Sequence, residues 1–324
     1  MSRKVMATLI VFLLAFMAVG PTLADGSVDG SSYYVPTSAY VSSEHSSPII
    51  KWKWELPDED PYVPCTQIWP EPFGTKTVTT YIVATDDNGA EDIRRVFIKV
   101  FHPDGSEKYQ IEAVELPKTG EIIEAIWAGY YNGCIPPEVR DDMLYELEKC
   151  TARAWKAEFI MDYHQPPGEY SVVAFAVDTA GAVGSFENTF TYYSLKYLAI
   201  DFARGVDFGE LVPGVWKRVA GDTDMTTPNK PTVRSGGNDP LWIGVSFTAM
   251  VGEVLGKEIT EFDAVFRGEE IVFNAGDYVV FENPLLPCHT EQIDFSVHPP
   301  LGTPTDMYTG LLYIGIADVE GEVG

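Results

Sequence analysis

The sequence predicts a mainly β protein with two immunoglobulin-like β-sandwich domains, the first carrying a two-helix insertion, and three observations predict it. Apolar and polar residues alternate with period two over 49–56, 78–84, 96–102, 155–163 and 170–177. Clusters of Gly, Pro, Asp and Asn separate these runs, as turns separate short strands. One stretch, near 119–150, switches to the 3.6-residue period of amphipathic helices.

Taken in order, residues 1–24 read as a secretory signal peptide: Arg3 and Lys4, an apolar run over 5–19, and Thr22-Leu23-Ala24 before Asp25. Cleavage near Ala24 leaves a secreted or cell-surface chain with no membrane insertion. The whole chain carries 22 basic and 48 acidic residues, a net charge of −26, and removing Arg3 and Lys4 takes this to −28. A field of that sign repels phosphate, which excludes nucleic acid as a natural partner and favours divalent cations and basic surfaces. A length of 324 residues suits two domains. The expected layout is a tail or linker at 25–47, domains at 48–194 and 195–318, and a short tail at 319–324.

In the first domain, Ile50, Trp52, Trp54 and Leu56 face one way and Lys51, Lys53 and Glu55 the other, so one face is expected buried and one wet. Trp52 and Trp54 are then core residues. Two turns resemble each other as D-x-x-G-A: Asp86-Asp87-Asn88-Gly89-Ala90 contains one and Asp178-Thr179-Ala180-Gly181-Ala182 the other. Aspartate caps such a turn and glycine supplies positive φ. Asp86, Asp87, Asn88, Glu91 and Asp92 also place five oxygen donors within seven residues, which makes them the candidate calcium ligands, although the D-x-D-x-D-G spacing is missing. Plain turn chemistry is the preferred reading. Ile122, Ile123, Ile126, Trp127 and Tyr130 then mark one helix, and Val139, Met143, Leu144 and Leu147 a second. Pro136 and Pro137 start the second and Lys149 stands near its end, as the helix dipole prefers. Both helices are expected to pack on the sandwich and close one face.

The second domain opens near Leu195. Its expected strands lie at 231–234, 242–249, 293–298 and 308–316, with Ile293, Phe295 and Val297 inward and Asp294, Ser296 and His298 outward. The runs VDFGELVPG and PTVRSGGNDPLWIGVSF resemble the opening of immunoglobulin-like domains in archaeal and bacterial surface proteins, and CHTEQIDFSVHPP with YTGLLYIGIA resembles their closing strands. VFIKVFHPDGSEKYQ with YHQPPGEYSVVAFAVDTAG resembles the first domain of secreted archaeal proteins of unassigned function. The resemblance covers most of the chain and implies the fold and an exterior location. It carries no active-site residue.

Cys65, Cys134, Cys150 and Cys288 are the disulfide candidates of an exported chain, with three connectivities open. Cys134 with Cys150 is the obvious local pair, but a helix ~20 Å long between them would have to bend or shorten.

Common hydrolase, zinc and nucleotide motifs are absent, and no catalytic or cofactor-binding residue is assigned. Trp69, among prolines near Cys65, and Trp216, beside Lys217 and Arg218, are the candidate sugar-stacking residues. The expected function is a non-enzymatic structural or interaction protein of the cell exterior. Its partners are cell-surface proteins, itself or polysaccharide, and calcium is the one candidate cofactor. Self-assembly would use strand donation by 31–42; the alternative is a carbohydrate- or ligand-binding module using the concavity between the helices and the sheet, and a secreted glycoside-type hydrolase ranks third.

Overall fold

Each uninterrupted alternating run forms a strand. The structure, a computed structural model, describes residues 46–60, 62–117 and 120–317. The expected signal peptide, most of the tail with its donor segment, and 318–324 lie outside the described residues. The first half contributes β1 (Ile49–Leu56), β2 (Gln67–Ile68), β3 (Thr75–Thr85), β4 (Ile93–Phe101), β5 (Glu107–Glu112) and β6 (Val114–Leu116). Helices α1 (Gly120–Tyr131) and α2 (Pro137–Lys149) follow, then β7 (Ala152–Asp162), β8 (Gly168–Asp178) and β9 (Val183–Tyr192).

These strands make two sheets, ordered β1-β3-β7-β6 and β2-β9-β8-β4-β5. Period-two alternation sorts their side chains. Val78, Ile82 and Ala84 of β3 enter the core between the sheets with Val96, Ile98, Val172, Ala174 and Phe190. Val83, from the opposite face of β3, joins Trp54, Ile122, Ile126, Met143 and Leu147 in a second core beneath the helices. The helices therefore close the outer face of the first sheet, as expected. Ile123 departs from the expected stripe and is exposed. Pro137 starts α2, and a left-handed Cys150 ends it, its N–H returning to the Glu146 and Leu147 carbonyls.

The wet face expected of β1 is not wet. Lys53 and Glu55 are fully buried. The cause is a bulge: Ile50 pairs with Ala84 and Trp52 with Val83, which leaves Lys51 as an extra residue. Beyond it the strand's faces exchange. Ile50 and Lys53 both lie opposite residues of the inter-sheet core, while Trp52 and Trp54 turn toward the helices. Strict alternation read through position 51 assigns the charges to the wrong environment.

The second half contains β10 (Leu198–Ile200), β11 (Lys217–Val219), β12 (Thr232–Ser235), β13 (Trp242–Phe247), β14 (Met250–Gly252), β15 (Glu258–Ile259) and β16 (Glu261–Phe266). It continues through β17 (Glu269–Asn274), β18 (Val279–Val280), β19 (Thr290–His298), β20 (Tyr308–Thr309) and β21 (Leu312–Ala317). One sheet runs β10-β12-β19-β16-β17, with β11 also on β19; smaller sheets run β18-β13-β21 and β15-β14-β20. They enclose a Phe-rich core in which Phe247 stacks on Phe262 at 4.5 Å between centroids. Asp294 and Ser296, expected outward, are both 2% exposed. Asp294 accepts the Gly221 N–H at 2.7 Å and pairs with Arg218, so β11 and the turn after it cover that face. Burial raises the carboxyl pKa of the neighbouring Asp263. The expected last strand over 308–316 is two pieces, β20 and β21.

A polar clamp joins the halves. Asn238 is 4% exposed. Its Nδ2 donates to the Gln165 and Tyr193 carbonyls, both at 3.0 Å, and its Oδ1 accepts the Leu195 N–H at 2.6 Å. Beside it the Phe73 N–H reaches the Gly236 carbonyl at 3.3 Å, and the Arg234 guanidinium lies over the Phe73 ring.

Candidate metal centre

The two D-x-x-G-A turns are brought together at one end of the first sandwich. β3 leads into the first turn and β8 into the second, and β4 pairs beside β8 with Ile93 opposite Asp178. Each aspartate spends one oxygen on its own turn. Asp86 Oδ1 accepts the Asn88 N–H at 2.8 Å, and Asp178 Oδ1 accepts the Ala182 N–H at 2.7 Å. The other oxygen, Oδ2 in both, is buried without a hydrogen-bond partner among the described residues. Asp92 completes the group from a short 3₁₀ turn (Ala90–Asp92). Its carbonyl accepts the Thr179 N–H at 2.9 Å and its carboxylate the Thr179 hydroxyl, which fixes the turns against each other.

One carboxylate oxygen each from Asp86, Asp92 and Asp178 lies within 4.8 Å of the others. Asp86 is 5% exposed and Asp178 1%. Among the described residues no ion pair reaches any of the three. At an effective dielectric of ~20, like charges at this spacing repel by about 3 kcal/mol per pair, which a divalent cation reverses. Three oxygen donors without sulfur or imidazole suit a hard cation, and calcium accepts irregular oxygen geometry that magnesium does not.

Of the five candidate ligands, the structure unites Asp86 and Asp92 and sets the other three aside. Asp87 and Glu91 are exposed. Asn88 is engaged elsewhere, its Oδ1 accepting from the backbone and hydroxyl of Ser46 at 3.2 Å. The carboxylate missing from that set is Asp178, and its signal was the likeness of the two turns.

The candidate sugar-stacking tryptophans do not form one platform. Trp69 is half-exposed and stacks on Tyr193 at 4.1 Å. Trp216 lies in the other half, one face covered by His298 at 4.9 Å. Between α1 and the first sheet there is a cleft of about 570 Å³ lined by Tyr81, Tyr131, Asn132 and Asp58.

All four cysteines are free thiols. Cys134 and Cys150 are not joined: α2 keeps its full length, and Cys150 is exposed at its end. Cys134 is buried instead beside Cys65, whose N–H donates to the Asn132 carbonyl at 2.9 Å. The neighbouring Cys134 side chain pulls the Cys65 pKa down to about 7, while the Cys134 pKa rises. Cys288 lies by Tyr163, at the junction of the two halves.

No family model and no curated protein matches the chain. Among solved structures, similarity extends to the secreted serine protease VesC from Vibrio cholerae, at 10% identity over 78% of this chain and 50% of the protease, with a TM-score of 0.20. The chain therefore spans about half the length of that protein. The C-terminal domain of the Streptococcus pyogenes antigen I/II-family protein AspA is 9% identical over 83% of this chain and 95% of that domain, with a TM-score of 0.23. A carbohydrate-binding module of the β-sandwich superfamily is 12% identical over 84% and 97% of the two chains, with a TM-score of 0.21. Such scores lie far below those of a shared fold, and no function passes from these proteins to this one.

Proposed function

We propose that the protein is a calcium-stapled, non-enzymatic structural or interaction module of the cell exterior. The observation that carries this reading is the convergence of Asp86, Asp92 and Asp178 with two buried, unpartnered carboxylate oxygens. A cation there ties the end of β3 in one sheet to the end of β8 in the other, a role in rigidity rather than turnover. Millimolar calcium is abundant outside cells, so a site of modest affinity is filled there. At a calcium concentration a hundred times Kd the folded state gains about 2.7 kcal/mol. The expected result is a melting temperature roughly 5–10 °C higher in calcium than in chelator, with Asp178→Asn abolishing the difference. Equal melting curves for the parent protein in calcium and chelator would remove the staple.

On export, Cys65 and Cys134 are the pair positioned to form a disulfide, passing two electrons and two protons to a disulfide-exchange partner. The bridge would pin the loop after β1 to the turn between α1 and α2. Non-reducing peptide mapping should recover 65 joined to 134, with Cys150 and Cys288 open to alkylation. A map joining Cys65 to either of those two overturns the pairing.

A further inference from the structure

The buried face of β1 holds a cluster that neither the metal centre nor the fold requires. The Lys53 ammonium is fully buried, donates to Glu55 Oε1 at 2.7 Å, and has the side-chain amide oxygen of Asn188 as its other acceptor. Asn188 Nδ2 in turn donates to the Lys53 carbonyl at 3.2 Å, so the amide is held against the amine from two directions. Thr80 Oγ1 donates to Glu55 Oε1 at 3.3 Å, and Glu55 Oε2 is buried with no partner among the described residues. A fully buried amine and carboxylate are thus confined with a half-buried carboxamide.

We propose that Lys53 and Asn188 become joined by an intramolecular isopeptide bond, with Glu55 as the proton shuttle. Confinement makes the reaction effectively unimolecular, which can contribute several powers of ten in rate. Burial lowers the Lys53 pKa and so favours the neutral, nucleophilic amine; Glu55 takes the proton that Nζ gives up. Nζ, its first proton already on Glu55, attacks Cγ of Asn188; Glu55 passes that proton to Nδ2 and takes the second one from Nζ, the Cγ–Nδ2 bond breaks, ammonia leaves, and Glu55 is left as the neutral acid. One amide replaces another, no electron is transferred, and no co-reactant is needed. The product is neutral and removes a charge pair that is costly to bury.

The placement gives the bond a purpose. β1 opens the first sandwich and β9 closes it, in different sheets. Residues 53 and 188 are 135 positions apart, so the link encloses nearly all of that half in a covalent ring.

Intact mass spectrometry of the folded, reduced protein decides the matter. The expected mass is the calculated one less one ammonia, with a branched peptide joining residue 53 to residue 188 after digestion. Glu55→Gln and Asn188→Ala should each restore the full mass, and Asn188→Ala should melt roughly 10–20 °C lower, as loss of so large a covalent loop implies. The full calculated mass in the folded parent protein overturns the proposal. So does an ammonia loss mapped to a peptide lacking either residue. Because the parent mass is read directly, a variant that fails to fold does not shield the idea. The bond is independent of calcium, so its absence leaves the metal staple standing.

Discussion

Trp54→Ala is expected to cost about 3–5 kcal/mol. Trp54 is fully buried, stacks on Tyr81 at 5.7 Å between centroids, and anchors the core beneath α1 and α2. Gly129 of α1 sits so close that a Cβ there would stand 2.9 Å from the indole Cδ1. The indole Nε1 has no hydrogen-bond partner among the described residues, so the loss is one of packing rather than of a polar contact. The cavity opens between helices and sheet, where collapse is resisted by the paired strands on one side. Denaturant titration measures the loss, and hydrogen exchange should show α1 and α2 losing protection before the inter-sheet core. A change under 1 kcal/mol would mean that the helices are not held by this residue.

Asn238→Ala should cost about 3 kcal/mol, because three hydrogen bonds to main-chain groups are lost together in a buried site and each is worth roughly 1 kcal/mol. The clamp joins the loop after β7, the chain leaving β9, and the turn before β13. Its removal therefore acts on the junction rather than on either core. Calorimetry should show a single transition in the parent protein resolve into two, one for each half. A lowered but still single transition would show that the Phe73 contacts alone couple the halves.

The fold was legible where alternation ran unbroken. β3, β4, β7 and β8 each carry a full period-two run, and the two helices announce themselves through Ile122, Ile126, Met143 and Leu147 at helical spacing. Legibility failed where one residue broke the rhythm. The bulge at Lys51 has no residue-type signature, so the buried Lys53–Glu55 pair was assigned to solvent. The hairpin of β16 and β17 was missed because acidic residues interrupt its apolar pattern, although Arg267-Gly268, both at positive φ, marks its turn. The candidate metal centre was half legible. Asp86 and Asp92 stood in one local cluster, whereas Asp178 is distant along the chain and arrives only through the pairing of β4 with β8. The approach of Cys65 to Cys134 is likewise long-range: the neighbouring Thr66 Oγ1 donates to the Glu55 carbonyl of β1 and lies 3.8 Å from the Cys134 sulfur.

The order of strands also determines how the first sandwich would bear a pull. The chain enters on β1 and leaves from β9, so tension on its two ends falls across these strands, which share no hydrogen-bond ladder. The load crosses through side chains: Trp52 against Phe186, and Lys53 against Asn188. These are the contacts that yield first when the crossing is non-covalent, and with an amide at 53 and 188 the intervening strands are relieved of the force. A string of such modules would then stretch at its linkers while each sandwich stayed folded.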